Sequence, residues 1–223
     1  MVIFIRTFKL KSTLVTCAFV FLVVVTFLAN PENAYSKMNN SPYPNTPAEI
    51  NALPKWAQIV IQTGPRTNPP EYLYKERLKL KKKYGSSFID AAHHYAAALN
   101  WINRYQRSFI DPYKGVKADR KNALMKAISE FAFMRGRMKP TDTFYPMLLI
   151  KEAFVYKEQG NYARAQMNYQ ELLRLKPKHP MSYIFYADFM KSIGQKEGAN
   201  EVLRLGLKKT DGSEIIKKAL GNN

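Results

Sequence analysis

The sequence predicts an all-α protein: a short α-solenoid of helix–turn–helix hairpins behind an irregular N-terminal strap. Three observations carry that expectation. Leu149, Ala153, Tyr156, Gly160, Tyr162, Ala165, Tyr169 and Pro177 outline two helices around a turn, and 34 residues later Tyr183, Ala187, Met190, Gly194, Ala199 and Leu203 repeat most of the order. A fixed period of this length marks a helix–turn–helix unit stacked on a copy of itself. Upstream, apolar residues recur at helical spacing, and no stretch alternates apolar and polar residues over a useful strand length.

Composition agrees with a packed body: 46% of the 223 residues are hydrophobic and 13% aromatic, enough for a core. Charge is lopsided, Lys+Arg 35 against Asp+Glu 17, for a net charge of +18. Such a chain is drawn to nucleic acid, acidic lipid head groups, acidic polysaccharide or acidic protein, and charge alone does not choose among them.

Residues 1–36 read as an export signal. Arg6, Lys9 and Lys11 precede an uncharged run at 12–29, and Ala34-Tyr35-Ser36 offers a small-x-small cleavage site. The competing reading is a retained membrane anchor through residues 12–29, since the run has the length of a short span. Both place the remainder outside the cytoplasm, with the basic residues on the cytoplasmic side. Removing 1–36 takes away three basic residues and one acidic residue, leaving 32 against 16, a net +16. The basic character therefore belongs to the remaining chain. Cys17 is the only cysteine and lies inside the apolar run between Thr16 and Ala18. Phe19-Val20-Phe21 follows it closely, which argues against a lipoprotein signal. The rest of the chain can form neither a disulfide nor a thiolate metal site.

Residues 37–70 hold seven of the 13 prolines and are expected to form an extended arm with two short helices. Thr46-Pro47-Ala48-Glu49 reads as a helix start, with a cap residue, a proline in the first turn and an acid reaching back. Trp56, Ile59 and Val60 supply the apolar face of a second helix. Residues 71–145 form the next region. Residues 71–84 predict a helix closed by Gly85. Ser87 with Asp90 is expected to cap a long helix near 88–108 whose apolar face reads Phe88, Ala92, Tyr95, Leu99, Ile102 and Phe109. After a break at Asp111–Gly115, a helix from about Asp119 to Arg137 is expected, with Leu124, Ile128, Phe131 and Met138 on one stripe. The pair 88–137 resembles a degenerate first repeat.

The repeats proper occupy 146–179 and 180–213. Their helices are expected near 146–159, 163–176, 180–193 and 197–209, with Gly160 and Gly194 ending first helices in the left-handed conformation. Ala153, Ala165, Ala187 and Ala199 let helices approach, Tyr156, Tyr162 and Tyr169 fill the space between hairpins, and Pro177 sets the exit direction. Residues 214–223 are expected to form a C-terminal cap, polar through Lys217 and Lys218.

On these residues the stretch 146–213 closely resembles the tetratricopeptide repeat (TPR). The second copy departs from the pattern: Lys196 replaces an aromatic residue, Gly206 a small or apolar helix residue, and Asp211 stands where proline is usual. The stretch from His93-His94-Tyr95 to Arg104, followed by such repeats, is also similar to exported bacterial TPR proteins of unassigned activity. The resemblance implies a right-handed superhelix and a scaffold or adaptor that binds protein partners of the cell envelope along the first helix of each repeat. Together with the export segment, the expected location is periplasmic, with or without inner-membrane attachment through residues 12–29.

Helical geometry names the candidate groove. With Leu149, Ala153 and Tyr156 facing in, Met147, Lys151, Phe154 and Glu158 point away; in the next unit the same holds for Met181, Phe185, Asp188 and Ser192. Methionines adapt to varied partners, and such a groove suits an amphipathic or extended peptide. The alternative is that preceding helices cover this face as core.

Other clusters weigh less. His93 and His94 point about 100° apart on a helix. Asp90 is four before His94 and no third ligand is evident, so packing or capping histidines are expected, with no metal site. Asn100, Trp101, Arg104 and Arg107 read as an inter-helix joint, the alternative being contacts to an inserted loop or a ligand. Lys75, Arg77, Lys79, Lys81, Lys82 and Lys83, interleaved with Tyr72, Tyr74 and Tyr84, form the strongest charge cluster. It is a solvated helix face or a polyanion patch, fitted to nucleic acid or an anionic membrane surface. Export argues against nucleic acid. No phosphate loop, catalytic triad or carboxylate pair stands out, so neither an enzyme nor a cofactor is expected.

Overall fold

The computed structural model describes residues 41–44, 46–64, 67–107 and 116–221. The expectations for the export segment 1–36, for Phe109, for Asp111–Gly115 and for the last two residues lie outside them. Among the described residues every regular element is an α-helix and no strand occurs.

A strap comes first. Its helices α1 (Pro47–Asn51) and α2 (Lys55–Gln62) each begin at or just after a proline. Thr46 caps α1, its Oγ1 accepting from Glu49 N at 3.2 Å. Helix α3 (Glu71–Tyr84) follows and ends at Gly85, whose φ of +90° stops it. The long α4 (Ser86–Arg107) then starts directly. It begins ahead of the expected cap: Ser87 lies inside its first turn, because Gly85 alone makes the break.

Helix α4 pairs with α5 (Val116–Arg135). His94 meets Glu130 near one end and Lys126 sits over Trp101 further along, so the two run antiparallel. An aromatic core joins this pair to its neighbours. Trp56, Phe88, Tyr95 and Phe144 stand 4.5–5.5 Å apart by ring centroids, and Phe131 packs on Tyr95. Offset and edge-on aromatic contacts of this kind add to the area they bury.

Two helix pairs complete the body: α6 (Tyr145–Glu158) with α7 (Tyr162–Leu175), and α8 (Pro180–Ser192) with α9 (Lys196–Lys209). Gly160 and Gly194 hold the turns with φ of +75° and +84°, a conformation that glycine adopts without strain. The 34-residue offset reappears in burial. Helix α8 buries Ser182, Tyr183, Tyr186, Ala187 and Phe189; the residues 34 earlier, Leu148, Leu149, Glu152, Ala153 and Val155, are all buried in α6. Likewise Ala199, Leu203 and Gly206 of α9 answer to Ala165, Tyr169 and Leu172 of α7. Helix α10 (Glu214–Gly221) closes the end, inserting Ile216 into the cluster of Tyr183, Ala187, Ala199 and Leu203.

One packing expectation is corrected. Tyr162 is half exposed instead of filling the seam; it is the first residue of α7 and its neighbour Asn161 caps the helix there. Tyr169 does fill the space, stacking on Tyr186 at 5.6 Å and meeting Phe189 at 5.2 Å.

Candidate functional site

The groove residues lie on the sides of α6 and α8 away from their buried seams. Met147 is 43% exposed, and Lys151, Phe154, Met181 and Phe185 are half-buried. Asp188 and Ser192 are exposed. None belongs to the core. The Lys157 ammonium lies 5.6 Å from the Phe154 ring centre and 2.9 Å from Glu158. Glu158 also accepts from the Tyr105 hydroxyl at 2.6 Å, which ties α6 to α4. The resulting face mixes apolar tips with two acids and two lysines.

Behind α6 lies a polar joint that the sequence reading missed. Arg135, the last residue of α5, donates to Glu152 at 2.6 Å, to Asn168 at 3.1 Å and to Glu171. Asn168 donates back to Glu152 at 3.0 Å, and the Tyr145 hydroxyl donates to Glu171 at 3.1 Å. Three helices are thus pinned by one guanidinium, whose planar fork suits two carboxylates at once. Burial pushes the Glu152 carboxyl above its ordinary range, with Arg135 and Asn168 pulling against it. Burial disfavours the Arg135 cation too, but Glu152, Tyr145 and Glu171 outweigh it and hold its pKa above the usual value. The available sequence signal is an acid at 152 beside Ala153, on the helix side read as core. An open cavity of about 640 Å³ borders the joint, lined by Arg135, Tyr156, Arg164, Met167, Glu171 and Arg174.

The basic helix α3 is less uniform than its sequence. Arg77 turns inward and donates to Thr63 at 3.2 Å. Lys75 pairs with Glu71 at 3.0 Å and Lys79 with Glu76 at 2.6 Å, both on the surface. Lys81, Lys82 and Lys83 are exposed in the last turn, with Lys83 5.0 Å from the Tyr84 ring centre.

The two histidines are packed, as the sequence reading expects. Their rings stand 4.2 Å apart, and His94 lies 3.7 Å from Phe133. The partner of His94 is Glu130, at 2.6 Å from Nδ1, and not the Asp90 that spacing suggested. Asp90 is exposed, whereas Glu130 comes across from α5. Burial, then His94, Arg77 and Arg137, lowers the His93 pKa. Among the described residues no three His, Cys, Asp or Glu side chains converge as a metal site.

The polar face of α4 binds an inserted segment, and that segment is the chain's own strap. Asn100 donates to the Pro42 carbonyl at 3.3 Å and Asn103 to Ala52 at 3.3 Å. Arg104 donates to the Ser41 carbonyl and to Glu49, both at 2.7 Å, while Arg107 reaches Ala48 at 3.3 Å. Arg104 also stacks on Trp101 at 4.5 Å, with Lys126 on the same ring at 4.4 Å. These residues are therefore spent on the fold. No protein-family model matches the chain, and no curated protein matches it.

Proposed function

We propose that this chain is a non-enzymatic adaptor of the bacterial cell envelope, exported through its N-terminal segment, that binds a partner protein along α6 and α8 of a TPR-like right-handed array. The observation that supports it best is the recurrence at 34 residues of the buried seam, with Met147, Phe154, Met181 and Phe185 outside that seam. Apolar tips beside Lys151 and Asp188 suit an amphipathic or extended peptide. Small residues hold each hairpin close and the Arg135 joint ties the first hairpin to α5, which keeps α6 rigid, and preorganised surfaces lose less entropy on binding.

Photocrosslinkers placed at Phe154 and at Phe185 in the living cell test the reading. One discrete protein adduct is expected at both positions, and none at Arg204, which is exposed on α9. Deleting Leu149–Asp211 should abolish partner capture. Adducts of equal yield at Arg204, or capture that survives the deletion, would reject the adaptor role.

A further inference from the structure

Helix α3 gives one side to the body and leaves the other to the surroundings. Leu73 is buried, with Leu80 and Tyr84 half-buried beside it. At 100° per residue, Leu78, Lys82, Lys75, Lys79 and Tyr72 fall within about 120° on the opposite side. Tyr72 is 62% exposed and Leu78 64% exposed, and Tyr74 flanks them. Six basic residues against Glu71 and Glu76 leave the helix a net +4. Both acids sit in surface ion pairs, which water and salt loosen readily.

This face asks for two environments at once. The ammonium groups need anions, whereas Leu78 and the tyrosine rings need a medium less polar than water. A nucleic acid offers phosphates and stacking but nothing for an isolated leucine. The boundary of a bilayer offers both: lipid phosphates for snorkelling lysines, and a level where amphipathic rings and aliphatic tips settle. Placement agrees. Arg77 of α3 acts on His93, and Tyr43 of the strap stands 6.3 Å from the same imidazole. Helix α3 packs on α4, whose His93 ring stands beside Tyr43 near the start of the strap. From residue 29, where the apolar run ends, the chain to Ser41 spans at most about 40 Å. A retained anchor would hold Ser41 within that distance of the bilayer.

We propose that the outer face of α3 rests on an anionic lipid bilayer, with Tyr72 and Leu78 at head-group level and Lys75, Lys79 and Lys82 against lipid phosphates. The proposal is independent of the adaptor reading, which concerns α6 and α8.

The full chain, with Cys17→Ser, is labelled with an environment-sensitive fluorophore at Leu78→Cys or, as control, at Met167→Cys. Met167 is 65% exposed on α7, so neither label disturbs the core, and the N-terminal apolar run is common to both. Vesicles containing about a third phosphatidylglycerol should shift the emission at position 78 to the blue, and vesicles of phosphatidylcholine alone should not. Near a surface each lysine is worth roughly a fivefold factor. Lys75→Glu, Lys79→Glu and Lys82→Glu together should therefore remove the shift, as should salt at about 0.5 M. An equal shift at position 167, or none at 78, overturns the proposal. So does a single-stranded oligonucleotide that displaces the vesicles while Leu78→Ser binds it unchanged, which would assign the face to nucleic acid.

Discussion

A Cβ at Gly206 would stand 2.7 Å from Tyr183 Cγ and 2.9 Å from Ile216 Cδ1. Along the sequence this glycine looks like a defect in the repeat; in the fold it is the space that admits α10. Gly206→Ala is expected to cost roughly 1–3 kcal/mol through overpacking, read as a lowered urea midpoint. An unchanged midpoint would mean that α10 does not pack here. Asp211 has a similar explanation. Its φ is +52°, out of reach of proline, whose ring holds φ near −65°. The helix ends through Asp211 and Gly212 (φ +83°) instead. His93 carries a pH dependence. Its folded pKa lies below the ordinary 6.5, from burial first and then from His94, Arg77 and Arg137. As pH falls through 6.5 the unfolded chain takes up the proton before the folded one, so stability drops toward acid until the folded pKa is passed. Urea unfolding at stepped pH should show this loss and His93→Gln should flatten it; parallel profiles for the two proteins would exclude His93 as the cause.

At the scale of elements, the two C-terminal pairs differ where their second helices begin. Asn161 caps α7, its side chain accepting from Arg164 N at 3.3 Å, whereas Gln195 makes no side-chain cap on α9. Their backbones match, φ −86° and ψ 68° against φ −90° and ψ 66°. The longer glutamine arm is poorly suited to the tight loop back to the second or third amide. Gln195→Asn should then gain roughly 0.5–1 kcal/mol, and Asn161→Ala should lose about as much; thermal melts of the pair check both signs. The turn before each cap relies on Gly160 and Gly194 at positive φ. Both turns were visible in the sequence because a glycine at a helix end is a local signal. Helix limits from α3 to α9 were visible in the same way, within about three residues.

For the molecule as a whole, the strap is part of the body. It covers the polar face of α4, and Arg104 lies nearly buried between Glu49, the Ser41 carbonyl and Trp101. Glu49→Ala removes a carboxylate from a buried cation and is expected to cost about 3–5 kcal/mol. It should also open the strap to protease ahead of global unfolding. Resistance equal to that of the parent chain would show that the carbonyl contacts suffice. The cost of losing the strap falls on α4, which contacts α2, α3 and α5, so the outward face of α6 and α8 should keep its shape longer than the strap does.

The sequence by itself determined the helices, their order and the two turns, because period, glycine and proline act over neighbouring residues. It also named the outward residues of α6 and α8, since a helix of known register leaves no choice about which side a residue occupies. Tertiary structure alone decided the rest. Glu130, and not Asp90, meets His94; Glu152 and Glu171 converge on Arg135; Arg77 leaves the basic face for Thr63; and the strap takes Asn100 and Arg104. Each of these joins residues from different elements. Such pairings depend on how elements stack, and stacking is set by side-chain volume and charge gathered from the whole chain.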